Sequence, residues 1–308
     1  MHTRPYRPTD AEAVATMVNA IDTAAGRQAS LTGSLIHEFL GERVAETTTD
    51  SRLVVGDDGV LAAGFVITPP AGGHRVDLIG GVLPGARGQG IGRTMLGWQV
   101  GRAEEIHAAL APGASWETYV EASQRDASAL ALFARFGLTP TRYEFDMAAS
   151  TADVPDCPVP DGLVIATYDA GQAHALHEAH MEAFVDHYGF QHRTFEVWQP
   201  TSIGSASFNP ALSIIAMDGA EIAGYVLSYD DAIPEQVYIG QVGVRRPYRR
   251  RGLAAAMLVD MMRRAAAAGR SRAALGVDTA NPTGAVGVYE RVGFHTEHTM
   301  VACGRPLN

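Results

Sequence analysis

Alternating hydrophobic and polar positions divide the first half of the chain into strands and helices. Short alternating runs predict strands at residues 1–8, 51–68, 75–83, 115–122 and 141–148. The run at 51–68 reads as a hairpin that turns at Asp57-Asp58-Gly59. Helical spacing of apolar residues predicts helices at 9–25, about 91–109, and 126–137, the first capped by Thr9 or Asp10.

The second half repeats this order of elements. Strands are predicted at 162–170, 211–229 (a hairpin turning at Asp218-Gly219), 236–244, 272–279 and 296–304, and helices at 171–190, about 253–268, and 282–293. Residues 150–161 between the halves contain three prolines and no hydrophobic period, which is typical of a linker. A chain of 308 residues usually forms two domains. We therefore predict domains at 1–149 and 162–308.

A short motif, Arg-x-x-Gly-x-(Gly/Ala), follows the fourth strand of each half and precedes a long helix. It consists of Arg87, Gly90 and Gly92 in the first half. In the second half it consists of Arg249, Gly252 and Ala254, with an offset of 249 − 87 = 162 residues. The chain is therefore interpreted as an internal duplication.

Around the second motif, five arginines occupy seven positions, 245–251, in a chain whose net charge is −10. Proteins that bind nucleic acid gain most of their affinity from cationic contacts, so an acidic chain does not favour that function. Arginines beside a helix N-terminus oppose the helix dipole unless an anion lies among them. The pattern favours one local anion site.

Two common phosphate-binding motifs do not fit this stretch. A P-loop requires lysine after its second glycine, where this chain has Ile91. A dinucleotide-binding turn requires Gly-x-Gly-x-x-Gly at the start of a βαβ unit, whereas Gly88, Gly90 and Gly92 have another spacing. The remaining scheme is a strand, an arginine-glycine turn and a helix whose first N–H groups bind an anion.

The segments "VLPGARGQGIG" and "VRRPYRRRGLA" resemble the acetyl-CoA pyrophosphate loop of the GNAT N-acetyltransferase superfamily, and "VDTANPTGAVGVYERVGF" resembles the segment that follows it in that family. The tandem arrangement is similar to that of actinobacterial tandem GNAT proteins. The resemblance implies an α/β (α+β layered) chain of two GNAT folds, each a mixed, mostly antiparallel sheet flanked by helices. It also implies acetyl-CoA as the cofactor, with an amine attacking the acetyl carbonyl directly and a strand N–H steadying the oxyanion.

The resemblance further implies site residues. The pantetheine arm of CoA would lie between the fourth and fifth strands, and the pyrophosphate would lie on the loop. The cofactor-binding residues implied for the second half are Val242, Gly243, Val244, Arg249, Arg250, Arg251, Gly252, Leu253, Ala254 and Asn281. Those implied for the first half are Val82, Arg87, Gly88, Gln89, Gly90, Ile91 and Gly92. Tyr289 matches the general acid that protonates the departing thiolate.

The two halves are unequal, because the position of Tyr289 is taken by Phe133 in the first half. The second half also departs from the family: Tyr238 stands where many members have a glutamate base. Glu235 could act through water instead. The predicted helix at 171–190 offers His177, Glu178, His180, Glu182, Asp186 and His187 near the acceptor side. His177, His180 and Glu182 lack a metal-site spacing, so we predict no metal, and the base stays unassigned.

We predict that the second half transfers an acetyl group from acetyl-CoA to a primary amine of a small molecule. A non-catalytic acyl-CoA-binding or sensing module and acetylation of a peptide or protein amine remain alternatives. We expect no nucleic-acid or membrane partner, and either a monomer or a homodimer. The chain has two cysteines and no apolar signal segment at its start, which predicts a cytoplasmic location.

Overall fold

The structure is a computed structural model that describes residues 1–70, 72–187, 190, 192–280 and 284–307. It contains two compact units. Unit 1 comprises residues 1–143 and the chain from His298 onward, and unit 2 comprises residues 144–297. The predicted domains follow the duplication along the sequence, whereas each compact unit takes its last strand from the other half.

The sheet of unit 1 is mixed and mostly antiparallel. Its strands are β1 (His2–Arg4), β2 (Ser51–Gly56), β3 (Gly59–Ile67), β4 (Arg75–Val82) and β5 (Trp116–Ser123), with residues from His298 onward of β12 (His295–Leu307). They lie in the order β1-β2-β3-β4-β5-β12. Only the β4–β5 pair is parallel among the described strand pairs of this unit.

Unit 2 repeats this topology. Its strands are β7 (Val164–Thr167), β8 (Ile214–Asp218), β9 (Glu221–Asp230), β10 (Gln236–Val244) and β11 (Arg272–Asp278), with residues from Glu144 onward of β6 (Thr139–Ser150). The order is β7-β8-β9-β10-β11-β6, and β10 and β11 form the parallel pair. The fold class predicted from the resemblance is confirmed.

Helices cover both faces of each sheet. In unit 1 these are α1 (Ala11–Ala24), α2 (Gly33–Arg43), α3 (Thr47–Asp50), α4 (Ile91–Leu110) and α5 (Ala127–Arg135). In unit 2 they are α6 (Ala173–Ala183), α7 (Phe195–Thr201), α8 (Leu253–Ala267) and α9 (Ala285–Arg291). One core of unit 2 lies between the sheet and α8 and α9, and a second, rich in aromatic residues, lies under α6 and α7.

Three helices were not predicted, α2, α3 and α7, and one predicted helix is shorter than expected. Residues 171–190 were expected to be helical, but α6 ends at Ala183. Its final carbonyl, that of Ala183, accepts a hydrogen bond from the guanidinium of Arg249 at 2.9 Å. A cation at this position satisfies an unpaired carbonyl and complements the negative end of the helix dipole.

Candidate active site

The parallel strands β10 and β11 separate after a short ladder. They pair over Gln236–Tyr238 and Arg272–Ala274, and the described ladder does not extend further toward Val244. At its end the hydroxyl of Tyr238 lies close to Gly276 of β11, 3.4 Å from where a Cβ on that glycine would be. The side chain of Tyr238 therefore lies against β11 just beyond the last pair of the ladder. The result is a split that exposes the edge of β10 from Ile239 to Val244.

Beyond the split, the loop before α8 forms an anion cradle. Gly252 precedes the helix with φ +84° and ψ 0°, and Arg250 has φ +60°. The first three N–H groups of α8 have no intrahelical acceptor. A Cβ at Gly252 would meet no protein atom within 4 Å, so the space above the backbone is open. This cradle fits a phosphate group, because backbone N–H groups and the helix dipole converge on it.

Three of the five arginines in this run are neutralised by α6 and the turn after it. Arg245 pairs with Glu182 at 2.6 Å, and Asp186 pairs with Arg246 at 2.6 Å and Arg249 at 3.0 Å. Hydrogen bonds from Arg246 and Arg249 lower the pKa of the Asp186 carboxyl. Most of the positive charge of this run is therefore neutralised by ion pairs within the protein.

The expected cofactor-binding arginines differ in their contacts. The guanidinium of Arg249 also donates to the carbonyl of Val244 at 3.0 Å, so all its described contacts are to protein groups and its role is to hold the loop. Arg251 donates to the carbonyl of Asp161 at 3.1 Å. Arg250 is exposed and has no ion-pair partner among the described residues, which leaves its guanidinium free for an anion. The side chain of Leu253 is buried, so only its backbone faces the cradle.

Tyr289 lies on α9 and packs edge-on against Phe294, with ring centroids 5.9 Å apart. Loss of water around its hydroxyl, with a smaller effect of Tyr238, raises the pKa of Tyr289 to about 12. The hydroxyl therefore keeps its proton at any physiological pH, and it has no hydrogen-bond partner among the described residues. Asn281, which was expected to contact the CoA arm, lies outside the described residues.

A β-bulge interrupts β10 beside the split. Its register with β9 shifts between Ile239 and Gln241. Two tyrosines of β9 cover the backbone here, because a Cβ at Gly240 would collide with the ring of Tyr229, and one at Gly243 with that of Tyr225. Sequence reasoning missed these tyrosines, although glycines inside a strand are a known signal of a bulge or a close approach.

The polar residues of α6 contact other protein groups. His180 is buried, and its Nδ1 lies 2.6 Å from the hydroxyl of Tyr225. Burial lowers the pKa of His180 to about 4, with smaller contributions from the charges of His177, Arg193 and His187. Nε2 of His177 lies 2.8 Å from the carbonyl of Arg193. The three residues once considered for a metal thus have separate protein partners, since Glu182 is held by Arg245.

Unit 1 keeps the loop and lacks other parts of the site. Gly88 and Gly90, which correspond to Arg250 and Gly252, also have positive φ angles, +78° and +82°. Arg87 donates to the carbonyl of Val82 at 3.3 Å. Arg87 also pairs with Asp126 at 3.0 Å. Gln89 is exposed, Ile91 is buried, and a Cβ at Gly92 would lie 3.2 Å from Leu132. Phe133 is a buried core residue, so unit 1 has no phenol at that position.

No described helix is both long enough and apolar enough to span a membrane.

Comparisons with known proteins agree with this geometry. Residues 173–294 match the model of the acetyltransferase (GNAT) family. The chain is 28% identical over 263 residues to a mycothiol acetyltransferase of Nocardia farcinica, covering 82% of this chain and 81% of that protein. It is 30% identical over 250 residues to one of Streptomyces scabiei, covering 80% and 76%.

Among solved structures, a GCN5-related N-acetyltransferase from Sphaerobacter thermophilus has a TM-score of 0.83 at 27% identity, covering 100% of this chain and 96% of that one. A tandem GNAT protein from the clavulanic acid biosynthesis pathway shares the fold, with a TM-score of 0.70 at 17% identity and coverage of 100% and 98%. The chain belongs to the GNAT family of acetyltransferases, with two GNAT folds in tandem.

Proposed function

We propose that unit 2 transfers the acetyl group of acetyl-CoA to the primary amine of a small molecule. The observation that carries this proposal is the split between β10 and β11, together with the open backbone at Gly252 before α8. Backbone groups of Val242, Gly243 and Val244 would hold the pantetheine arm, and the N–H groups at the start of α8, with Arg250, would hold the pyrophosphate.

When bound, acetyl-CoA supplies an acetyl group activated as a thioester. Tyr289 holds a proton on its hydroxyl oxygen and would donate it to the leaving thiolate. Its raised pKa does not prevent this role, because the loss of water that weakens a phenol as an acid also strengthens a thiolate as a base. Tyr238 has a pKa raised by loss of water and by the charge of Asp146, so it stays neutral and does not serve as a base near pH 7.

Two acceptor classes have support. The name of the two relatives supports a mycothiol-related amine. Tyr238 at the position of the usual glutamate argues against that activity, and the net charge of −10 favours a cationic amine such as an aminoglycoside. The free cysteines Cys157 and Cys303 support a cytoplasmic location.

A thiol-release screen tests the proposal. Purified protein is incubated with acetyl-CoA and polyamines, aminoglycosides, amino-sugar cysteine conjugates or peptides, and free CoA is followed. Release that depends on one small amine is expected. Peptide-dependent release alone would contradict the small-molecule assignment. Calorimetric binding of CoA without release for any amine would contradict the proposed reaction.

A further inference from the structure

The bulge in β10 turns the side chain of Gln241 toward α6 and α7. Ile239 and Val242 both pack in the core under α8 and α9, with two residues between them. Regular alternation would place Gln241 on the same face as Ile239. Because the bulge adds one residue, Gly240 and Gln241 both face the opposite side, where Tyr225 and Tyr229 lie.

The amide of Gln241 is only partly satisfied there. Its Nε2 donates to the hydroxyl of Ser202 at 3.4 Å, and Ser202 is itself only 1% exposed. The Oε1 atom is buried and has no hydrogen-bond partner among the described residues. A buried acceptor without a hydrogen bond destabilises the folded protein, because it has lost its bonds to water. Such a group calls for an explanation other than stability.

Unit 1 shows that the fold does not need this amide. The register of β3 and β4 is unbroken from Ala62 and Val82 to Ile67 and Asp77. Ile79 holds the position of Gln241, 241 − 162 = 79, and packs in an apolar core. By strand register, Ile67 holds the position of Tyr229. The bulge, the amide and the tyrosine therefore occur together in the unit that has Tyr289.

We infer that Oε1 of Gln241 accepts a hydrogen bond from the amino group of the acceptor, with Ser202 as a positioning residue. This inference rests on the proposed function and adds a residue that recognises its substrate. A carbonyl oxygen can only accept, so it binds an N–H and leaves the nitrogen lone pair free to attack. A neutral amide removes no proton, so the amine reaches this position already uncharged.

The test is Gln241→Leu, with Ile79→Leu as the matched control in unit 1. Acceptors are spermidine, kanamycin and glucosamine. We expect kcat/KM for the acetylated amine to fall about 10- to 100-fold, the worth of one buried hydrogen bond. The calorimetric Kd for CoA should change less than twofold. The melting temperature should stay equal or rise, because the variant removes an unpaired polar atom. Ile79→Leu should leave kcat/KM and the Kd unchanged.

Two outcomes would overturn the inference: unchanged kcat/KM in Gln241→Leu, or a lower melting temperature, which would show that the amide serves the fold. If wild-type protein acetylates neither these three amines nor the other small amines of the thiol-release screen, the proposed function is what fails. The inference fails with it in that case, whereas an active wild type with an equally active Gln241→Leu variant contradicts the inference alone.

Ser202 provides a second test. Ser202→Ala should lower kcat/KM for the amine without changing the Kd for CoA, and Ser202→Thr, which keeps a hydroxyl, should restore it. Equal loss in both variants would show that Ser202 acts through packing and would remove it from the proposal.

Discussion

Arg249 donates its Nε–H to the carbonyl of Val244 across 3.0 Å, which fastens the loop before α8 to the end of β10. Arg87 and Val82 repeat this bond in unit 1. The first arginine of the duplicated motif is therefore a clamp between strand and loop. The next residue, Arg250, forms no ion pair with another described residue. The two neighbours have different roles, and these can be separated experimentally.

Arg249→Ala is expected to lower the free energy of unfolding by about 1–3 kcal/mol, because two carbonyls and Asp186 lose a charged donor. Arg250→Ala should leave stability nearly unchanged, weaken CoA binding several-fold and reduce its dependence on salt. Chemical denaturation and calorimetry at two salt concentrations measure both. Equal destabilisation by the two variants would contradict this division.

Arg250→Gly should give a more stable protein than Arg250→Ala. Its φ of +60° is in the left-handed region, which costs a residue with a Cβ about 1–2 kcal/mol. Arg250→Gly should therefore exceed Arg250→Ala in free energy of unfolding by about 1 kcal/mol. The same pair of variants at Arg251, which lacks a positive φ, is the control and should show no advantage for glycine.

Tyr289→Phe should reduce kcat by about 10²–10⁴-fold, the usual worth of general acid catalysis, with little change in the Kd for CoA. Phe133→Tyr, the reverse change in unit 1, should not alter turnover. Because the pKa of Tyr289 is about 12, the wild-type enzyme should not lose this proton donor below pH 10. Near-full activity of Tyr289→Phe would place catalysis elsewhere.

Gly252→Asp should abolish CoA binding, since it adds a Cβ and a negative charge where the phosphate approaches. Gly219→Asp is the matched control: Gly219 also has a positive φ, +58°, and open space around it, but lies in the hairpin turn between β8 and β9. Gly219→Asp should introduce similar backbone strain and keep the wild-type affinity for CoA in calorimetry. Loss of affinity in both would indicate a general effect on folding.

His180 should make unit 2 sensitive to acid. Its pKa is about 4 in the folded protein, below the ordinary histidine pKa of 6.5, so the unfolded chain binds more protons between these pH values. Stability should therefore fall as pH drops from about 6.5 to about 4. His180→Asn, which keeps an acceptor for Tyr225, should flatten the change of melting temperature with pH. Exposed His37→Asn should not.

The duplication and the loop could be predicted because they are local patterns. Hydrophobic periodicity gave the order of the strands and the long helices of both halves, and the arginine-glycine spacing located Gly90 and Gly252. The partner of a closing strand is not a local property. The strands around residues 144 and 300 have similar patterns, so periodicity could not show that each joins the other unit.

Side-chain partners were also beyond the sequence. The acidic residues Glu182 and Asp186 were expected near the acceptor side, whereas they neutralise arginines more than 55 positions away. The sequence around Gln241 did not indicate which face of the sheet its side chain occupies, because that face depends on one extra residue in β10. Gly240 and Gly243 were the available sign of that irregularity.

The exchange of closing strands imposes an order on folding during synthesis. Residues 144–297 contain every strand of unit 2 in one continuous stretch, so that sheet can close once this stretch has left the ribosome. The sheet of unit 1 can be completed only later, because the strand that pairs with β5 is translated after all of unit 2. Until then the first half carries an unpaired β5 edge, the kind of surface at which nascent chains aggregate.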